Sequence, residues 1–157
     1  MDLIIWRHAE AEDKPEEGGR AIDDLERALT SRGEKQAARM AAWLDRQLPD
    51  GVKVLCSPAL RTEQTVLALG RKYKLRPELM PERTAEDLLE LVDWPKAKTP
   101  VLVVGHQPAL GQAVSRLLGL AESECPIKKG AVWWLRSRER DGATQAIVLS
   151  VQSPELV

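Results

Sequence analysis

Four side chains in this sequence have the types and the spacing to do chemistry together: Arg7, His8, Arg61 and His106. The chain holds only two histidines, and each follows a short apolar run. Residues 2–6 end at Arg7-His8, and Val101-Leu-Val-Val104 ends at Gly105-His106-Gln107-Pro108. Arg61 lies just beyond a third run, Val52-Lys-Val-Leu-Cys56, after Ser57-Pro58. An apolar run that stops at polar residues reads as a buried strand delivering them to an edge, and open α/β sheets bind ligands outside the carboxyl ends of their strands. If the three strands are parallel neighbours, two guanidiniums and two imidazoles share one crevice. Helix N-termini there would add backbone N–H groups and positive dipole ends. That is a site for an oxyanion, and the forked guanidinium favours phosphate. A simple binding pocket has no need of a histidine at its centre. A histidine flanked by arginines can attack phosphorus through one ring nitrogen while the other donates its proton to a fixed acceptor. The arginines would keep the imidazole neutral and spread the charge of the transferring phosphoryl group.

The elements that must position these groups follow from pattern. Thr30 reads as a helix N-cap, with Ala37, Met40, Ala41, Leu44 and Leu48 at helical spacing and Pro49-Asp50-Gly51 as the stop. Ser57-Pro58 predicts a second helix, with Ser57 as its cap, Pro58 at its first position and Thr62, Val66, Leu69 and Tyr73 on one face. Leu79–Glu82 reads as a short extended piece, and Thr84 caps a third helix carrying Leu88, Leu91 and Val92. Pro108 opens a fourth helix with the cleanest apolar stripe in the chain, Leu110, Ala113, Val114, Leu117 and Leu118, ended by Gly119. Residues 131–135 and 146–151 read as two closing strands, with Arg140-Asp141-Gly142 as the turn of an antiparallel hairpin. Strands alternating with helices, then a hairpin, give a three-layer α/β/α domain whose central sheet is mostly parallel. The remaining long segment, residues 9–28, is irregular and acidic, and most of its acids read as solvated surface.

Composition narrows the function. A chain of 157 residues is expected to be one domain spanning 1–157, with a real core. Its 23 basic and 24 acidic side chains leave a net charge of −1, which offers no global attraction to nucleic acid or membranes. No apolar run approaches a membrane span, and the start at Asp2 lacks a basic leader, so a cytoplasmic protein is expected. Cys56 and Cys125 read as two free thiols. Neither has a Cys or His neighbour at zinc-ligand spacing.

At this point the motifs match a family. Arg7-His8, the segment Ser57-Pro-Ala-Leu-Arg61-Thr-Glu-Gln-Thr65, Val103-Val-Gly-His106-Gln-Pro108 and Arg27-Ala-Leu-Thr30-Ser-Arg-Gly33, taken in order, resemble the histidine phosphatase superfamily. The short chain most resembles its SixA-type phosphohistidine phosphatase branch, with a phosphoglycerate mutase-like fold. The resemblance implies that His8 is the nucleophile and forms a phosphohistidine intermediate. It implies that Arg7, Arg61 and His106 bind the phosphoryl oxygens, with Arg27 as a further phosphate or substrate contact, and that no metal or other cofactor takes part. Two positions depart from the family pattern: Ala9 stands where Gly is common, and Ala28 where the pattern has Pro, which loosens the placement of Arg27. Many members use an acid to protonate an alcohol leaving group, and Glu82 is the nearest positional candidate. An imidazole can depart already protonated, so Glu82 reads first as a surface acid. Glu10, Glu12 and Asp13 could join His8 around a metal, but carboxylate ligands beside arginines make that the weaker reading.

Three activities remain distinct. The first is dephosphorylation of phosphohistidine in a protein such as a histidine phosphotransfer domain, by a protein expected to be monomeric. The second is hydrolysis of a small phosphomonoester, with Glu82 as acid. The third is a non-catalytic module that binds phosphorylated proteins. A mutase is disfavoured, since the chain leaves little room for segments that enclose a substrate. Lys128-Lys129 and Arg136, Arg138 and Arg140 read as solvated charges.

Overall fold

The computed structural model describes residues 1–13 and 23–157. Much of the acidic connection, residues 14–22, lies outside the described residues. A six-stranded sheet runs in the order β3-β2-β4-β1-β5-β6. Its strands are β1 (Asp2–Arg7), β2 (Lys53–Cys56), β3 (Lys74–Leu75), β4 (Val101–Gly105), β5 (Val132–Arg140) and β6 (Ala143–Gln152). The first four run parallel, and β5 and β6 add an antiparallel hairpin. The condition set by the motifs is therefore met: β2, β4 and β1 are adjacent and parallel, with Arg7 opposite Gly105 and Cys56 opposite Val104.

Helices cover both faces: α1 (Ser31–Gln47), α2 (Leu60–Leu67), α3 (Ala85–Leu91) and α4 (Ala109–Leu118). The period-two alternation of each strand sorts the core. Ile4, Trp6, Leu102 and Val104 point towards Met40, Leu44 and Val66 of α1 and α2. Leu3, Ile5, Val101 and Val103 point towards Leu88, Leu110, Ala113 and Val114 of α3 and α4. A strand buried on both sides must be apolar at every position, which is why β1 and β4 read as unbroken runs.

Local chemistry sets most of the boundaries. The Thr30 hydroxyl accepts from the Gly33 N–H at 2.9 Å and caps α1. Thr84 and Asp87 form a reciprocal capping box at the start of α3. Gly119, with φ 65°, ends α4 in the left-handed conformation that costs glycine least. Three expectations need correction. Helix α2 starts at Leu60 with Ala59 as its cap position, so Ser57 and Pro58 lie outside it. It stops at Leu67, before Tyr73, as the chain turns through Gly70 at φ 71°. The piece expected to be extended at Leu79–Glu82 is instead the end of a 3-10 turn, Pro77–Leu79, that runs on into a bend and a turn, while the sheet gains a two-residue edge strand at β3. The hairpin is also longer than its apolar pattern, because its outer half projects past the core and carries charge and polarity on both faces.

Candidate active site

The carboxyl ends of β1, β4 and β2 place His8, His106 and Ser57 side by side. The His8 N–H donates to the Gly105 carbonyl at 3.2 Å, and the Ser57 N–H donates to the Val104 carbonyl at 3.0 Å, so the ladder runs into the site. The two imidazoles lie with ring centroids 5.3 Å apart and planes tilted by 53°. Both are buried. The His8 Nδ1 sits 2.7 Å from the Ala9 carbonyl oxygen. A carbonyl oxygen only accepts, so Nδ1 carries the ring proton and Nε2 keeps its lone pair. Burial, with smaller contributions from Arg61, Arg7 and Arg27, outweighs the Ala9 hydrogen bond and lowers the His8 imidazole to about 3. Burial, then His8 and Arg61, lowers His106 to about 3 as well. Both rings are neutral near pH 7.

Arg7 reaches across to the Ile127 carbonyl through Nη1 at 2.7 Å and pairs with no described carboxylate. A guanidinium held for an acid would have closed that bridge. Arg61, 3% exposed, donates from Nη1 to the Asp24 carbonyl at 2.8 Å and from Nη2 to the Asp24 carboxylate at 3.1 Å. Each arginine is thereby gripped at its far end, and each Nε is left buried without a partner among the described residues. The His106 Nδ1 is in the same condition. Two guanidiniums and two neutral imidazoles thus converge beyond the carboxyl ends of β1 and β4, close enough for Arg61 and Arg7 to act on the His8 ring, an arrangement suited to a multiply charged anion.

The match to known proteins agrees with this geometry. The model of the histidine phosphatase superfamily (branch 1) matches residues 3–90, more than half of the chain. The chain belongs to the histidine phosphatase superfamily. It is 34% identical over 125 residues to the phosphohistidine phosphatase SixA of Escherichia coli, covering 74% of each chain. It is 30% identical over 134 residues to the SixA homologue of Haemophilus influenzae, covering 76% of this chain and 78% of that one. The structure of the protein histidine phosphatase SixA complexed with tungstate superposes with a TM-score of 0.72 at 28% identity, over 98% of this chain and 97% of that one. A phosphoserine phosphatase from Entamoeba histolytica, 14% identical with a TM-score of 0.73, shares the fold.

Within this superfamily frame, the four residues singled out by spacing, Arg7, His8, Arg61 and His106, come together. Arg27 stands one step out: Nε donates to the Asp24 carboxylate at 2.9 Å and Nη1 to the Glu12 carbonyl at 2.8 Å, so it joins Arg61 through Asp24. Glu82 is exposed in the turn before α3, with no hydrogen bond or ion pair to any of the four. No cluster of three potential metal ligands occurs among the described residues. Both cysteines are free and buried, and burial pushes the Cys56 thiol up to about 12. Ala9, where glycine is common in the superfamily, is fully buried, and its N–H donates to the Thr65 hydroxyl at 3.1 Å. The missing side chain of glycine is instead needed at Gly33, in the first turn of α1, where a Cβ would collide with the Glu10 carbonyl oxygen.

Sequence reasoning missed three supporting groups. Asp24 was one acid among many in an acidic segment, yet it ties Arg61 to Arg27. Burial raises its carboxyl, and the two guanidiniums more than reverse this, holding it below the usual range. Thr65, which receives Ala9, passes its own hydroxyl hydrogen to the Arg61 carbonyl at 2.7 Å. It lies inside the Ser57–Thr65 motif, and its register four residues after Arg61 was the available signal. Ser57 was read as a helix cap. Its Oγ is 2.8 Å from the His106 Nε2 and receives the Ala59 N–H at 3.4 Å. The hydroxyl can donate to a bare Nε2 or accept from an Nε2–H through its second lone pair, and in either case it holds the His106 ring in one orientation and favours one tautomer. Ser57→Ala is expected to lower kcat about tenfold, the worth of one ordinary hydrogen bond. The ring 15N shifts of His106 should then show a mixture of tautomers, and Ser57→Thr should restore one.

Proposed function

We propose that this protein is a metal-independent phosphohistidine phosphatase acting on a phosphorylated histidine in a signalling protein, with His8 as nucleophile. The single observation that carries this is the His8 ring: proton on Nδ1, held by the Ala9 carbonyl, and a free Nε2 on a ring flanked by Arg61, Arg7 and His106. In the first step the Nε2 lone pair forms a bond to phosphorus while the P–N bond of the substrate breaks. The departing imidazole takes the P–N electron pair and leaves neutral, since its other ring nitrogen already carries a proton. Arg7, Arg61 and His106 donate to the three phosphoryl oxygens as charge builds on them. In the second step water attacks the phosphoryl group on His8, the N–P bond breaks, and the water proton leaves on phosphate. Neither step needs an acid at the leaving group, which fits the exposed, unengaged position of Glu82. The named activity of the 34% identical relative, and the binding of an oxyanion, tungstate, by the 28% identical one, support the same chemistry.

The test compares phosphoramidate with p-nitrophenyl phosphate and follows the acid-labile label by mass spectrometry. Faster turnover of phosphoramidate, with a phosphoryl group on His8, is the expected result. Faster turnover of the ester, with a large loss in Glu82→Gln, would favour a phosphomonoesterase. Under the proposal, Glu82→Gln leaves phosphoramidate turnover within about twofold of wild type. Phosphate binding with neither label nor turnover would leave a binding module.

A further inference from the structure

Beside the site lies a surface that the phosphoryl chemistry does not use. Helix α1 carries Arg32, Lys35 and Arg39 at i, i+3 and i+7, which places them along one helical face over about 10 Å. With Gln36, Pro154 and Glu155 they line a cleft of ≈ 270 Å³. Lys128 is close enough to act on the Glu155 carboxyl, and Lys129 directly precedes Gly130. Pro154 and Gln36 both pack at Gly130, within 2.8 and 3.6 Å of where a Cβ would sit, so α1, the C-terminal segment and the 127–130 loop meet there.

All five cations are exposed, and none has a carboxylate within ion-pair distance among the described residues. Within this face Glu155 is the one acid lining the cleft, and Arg32 and Lys128 both act on its carboxyl, so the five cations carry a net positive field.

This face is joined to the catalytic turn by short links. The Gln36 Oε1 accepts the Glu10 N–H at 3.0 Å, two residues from His8. Lys128 and Lys129 lie between Ile127, whose carbonyl holds Arg7, and Gly130, whose N–H donates to the His8 carbonyl at 2.9 Å. A macromolecule presenting phosphohistidine to His8 must therefore lay its neighbouring surface near these cations. We propose that Arg32, Lys35, Arg39, Lys128 and Lys129 form the docking face for the acidic surface of a protein substrate beside its phosphohistidine. The inference rests on the phosphohistidine reading of the site. Glu155, in the middle of the cations, breaks the field that a nucleic-acid backbone or an anionic membrane would want continuous. A protein surface with carboxylates at discrete positions has no such requirement.

The experiment uses three substrates: phosphoramidate and two synthetic peptides carrying one phosphohistidine, flanked on both sides by glutamates or by lysines. Flanks of about four residues reach ~13 Å, enough to span the face. Wild type should prefer the glutamate peptide about tenfold in kcat/KM at low salt, with the preference shrinking as ionic strength rises. Lys35→Glu/Arg39→Glu/Lys128→Glu should reverse the preference while phosphoramidate turnover stays at the wild-type value. Equal use of the two peptides by wild type, or a preference the triple variant does not move, would overturn the docking face. So would a variant that loses binding to phosphatidylserine vesicles but keeps the peptide preference. Loss of phosphoramidate turnover in the wild type would instead sink the catalytic reading.

Discussion

His8→Ala is expected to abolish the acid-labile phosphoryl label and to lower kcat for phosphoramidate on the order of 10⁴–10⁶-fold, the range seen when a nucleophile is removed from an otherwise intact site. The binding of inorganic phosphate should survive, because Arg7, Arg61 and His106 remain. Single-turnover mixing with mass detection, together with a phosphate titration, checks both halves. A variant that still turned over at a tenth of the wild-type rate would exclude His8 as nucleophile. The same ring predicts an unusual pH response. Its folded-state value of about 3 lies below the ordinary histidine value of 6.5, so the neutral, attacking form is present throughout the range above that lower value. Ring carbon or nitrogen shifts of His8 should therefore remain those of neutral imidazole from pH 7 down to about 4. An inflection near 6.5 in those shifts would contradict the burial and the flanking charges that lower it.

Arg61→Ala should produce the second large loss, about 10³-fold in kcat, the scale of removing one preorganised donor from a developing charge. The loss should exceed that of Arg27→Ala by at least about tenfold, because Arg27 reaches Arg61 only through Asp24. Arg61→Lys should rescue little. An ammonium cannot hold Asp24 with two nitrogens while turning a third N–H towards the substrate. Parallel kcat and KM measurements on phosphoramidate check this, with the larger effect expected in kcat. Equal losses for Arg27→Ala and Arg61→Ala would show that the two arginines act as one unit.

The layers of this fold were legible because β1 and β4 are buried on both faces and must be apolar throughout, which leaves runs that end abruptly at polar residues. Those ends marked His8 and His106, and the short spacing after Ser57-Pro58 marked Arg61. The helices with side-chain caps, α1 at Thr30 and α3 at Thr84, began where their caps stand. Helix α2 did not, because its serine turned to His106 and left the helix start without a side-chain cap. Strand β3 escaped notice because two exposed residues, Lys74 and Leu75, carry no periodicity. Asp24 was invisible for a different reason. Its significance lies in contacts with Arg27 and with Arg61, 37 residues away, and nothing in its local sequence separates it from its acidic neighbours.

The donors gathered in the site, Arg7, Arg61 and His106, have a meaning for the life of the protein as well as for its turnover. Arg7 is half-buried with no described carboxylate in ion-pair reach, and Arg61 is buried with one, Asp24, so the fold compensates the positive charge of the site only in part, a deficit of stability. An oxyanion that meets those donors repays it, and at a hundredfold its Kd would add about 2.7 kcal/mol to the folded state. Inorganic phosphate, the product of the proposed reaction, is then both inhibitor and stabiliser, because release empties the same donors that occupancy satisfied. A substitution that set a carboxylate against Arg7 would make a hardier fold and a silent one. The readiness of this site is thus held as a standing loss of stability, and the two properties cannot be raised together at these residues.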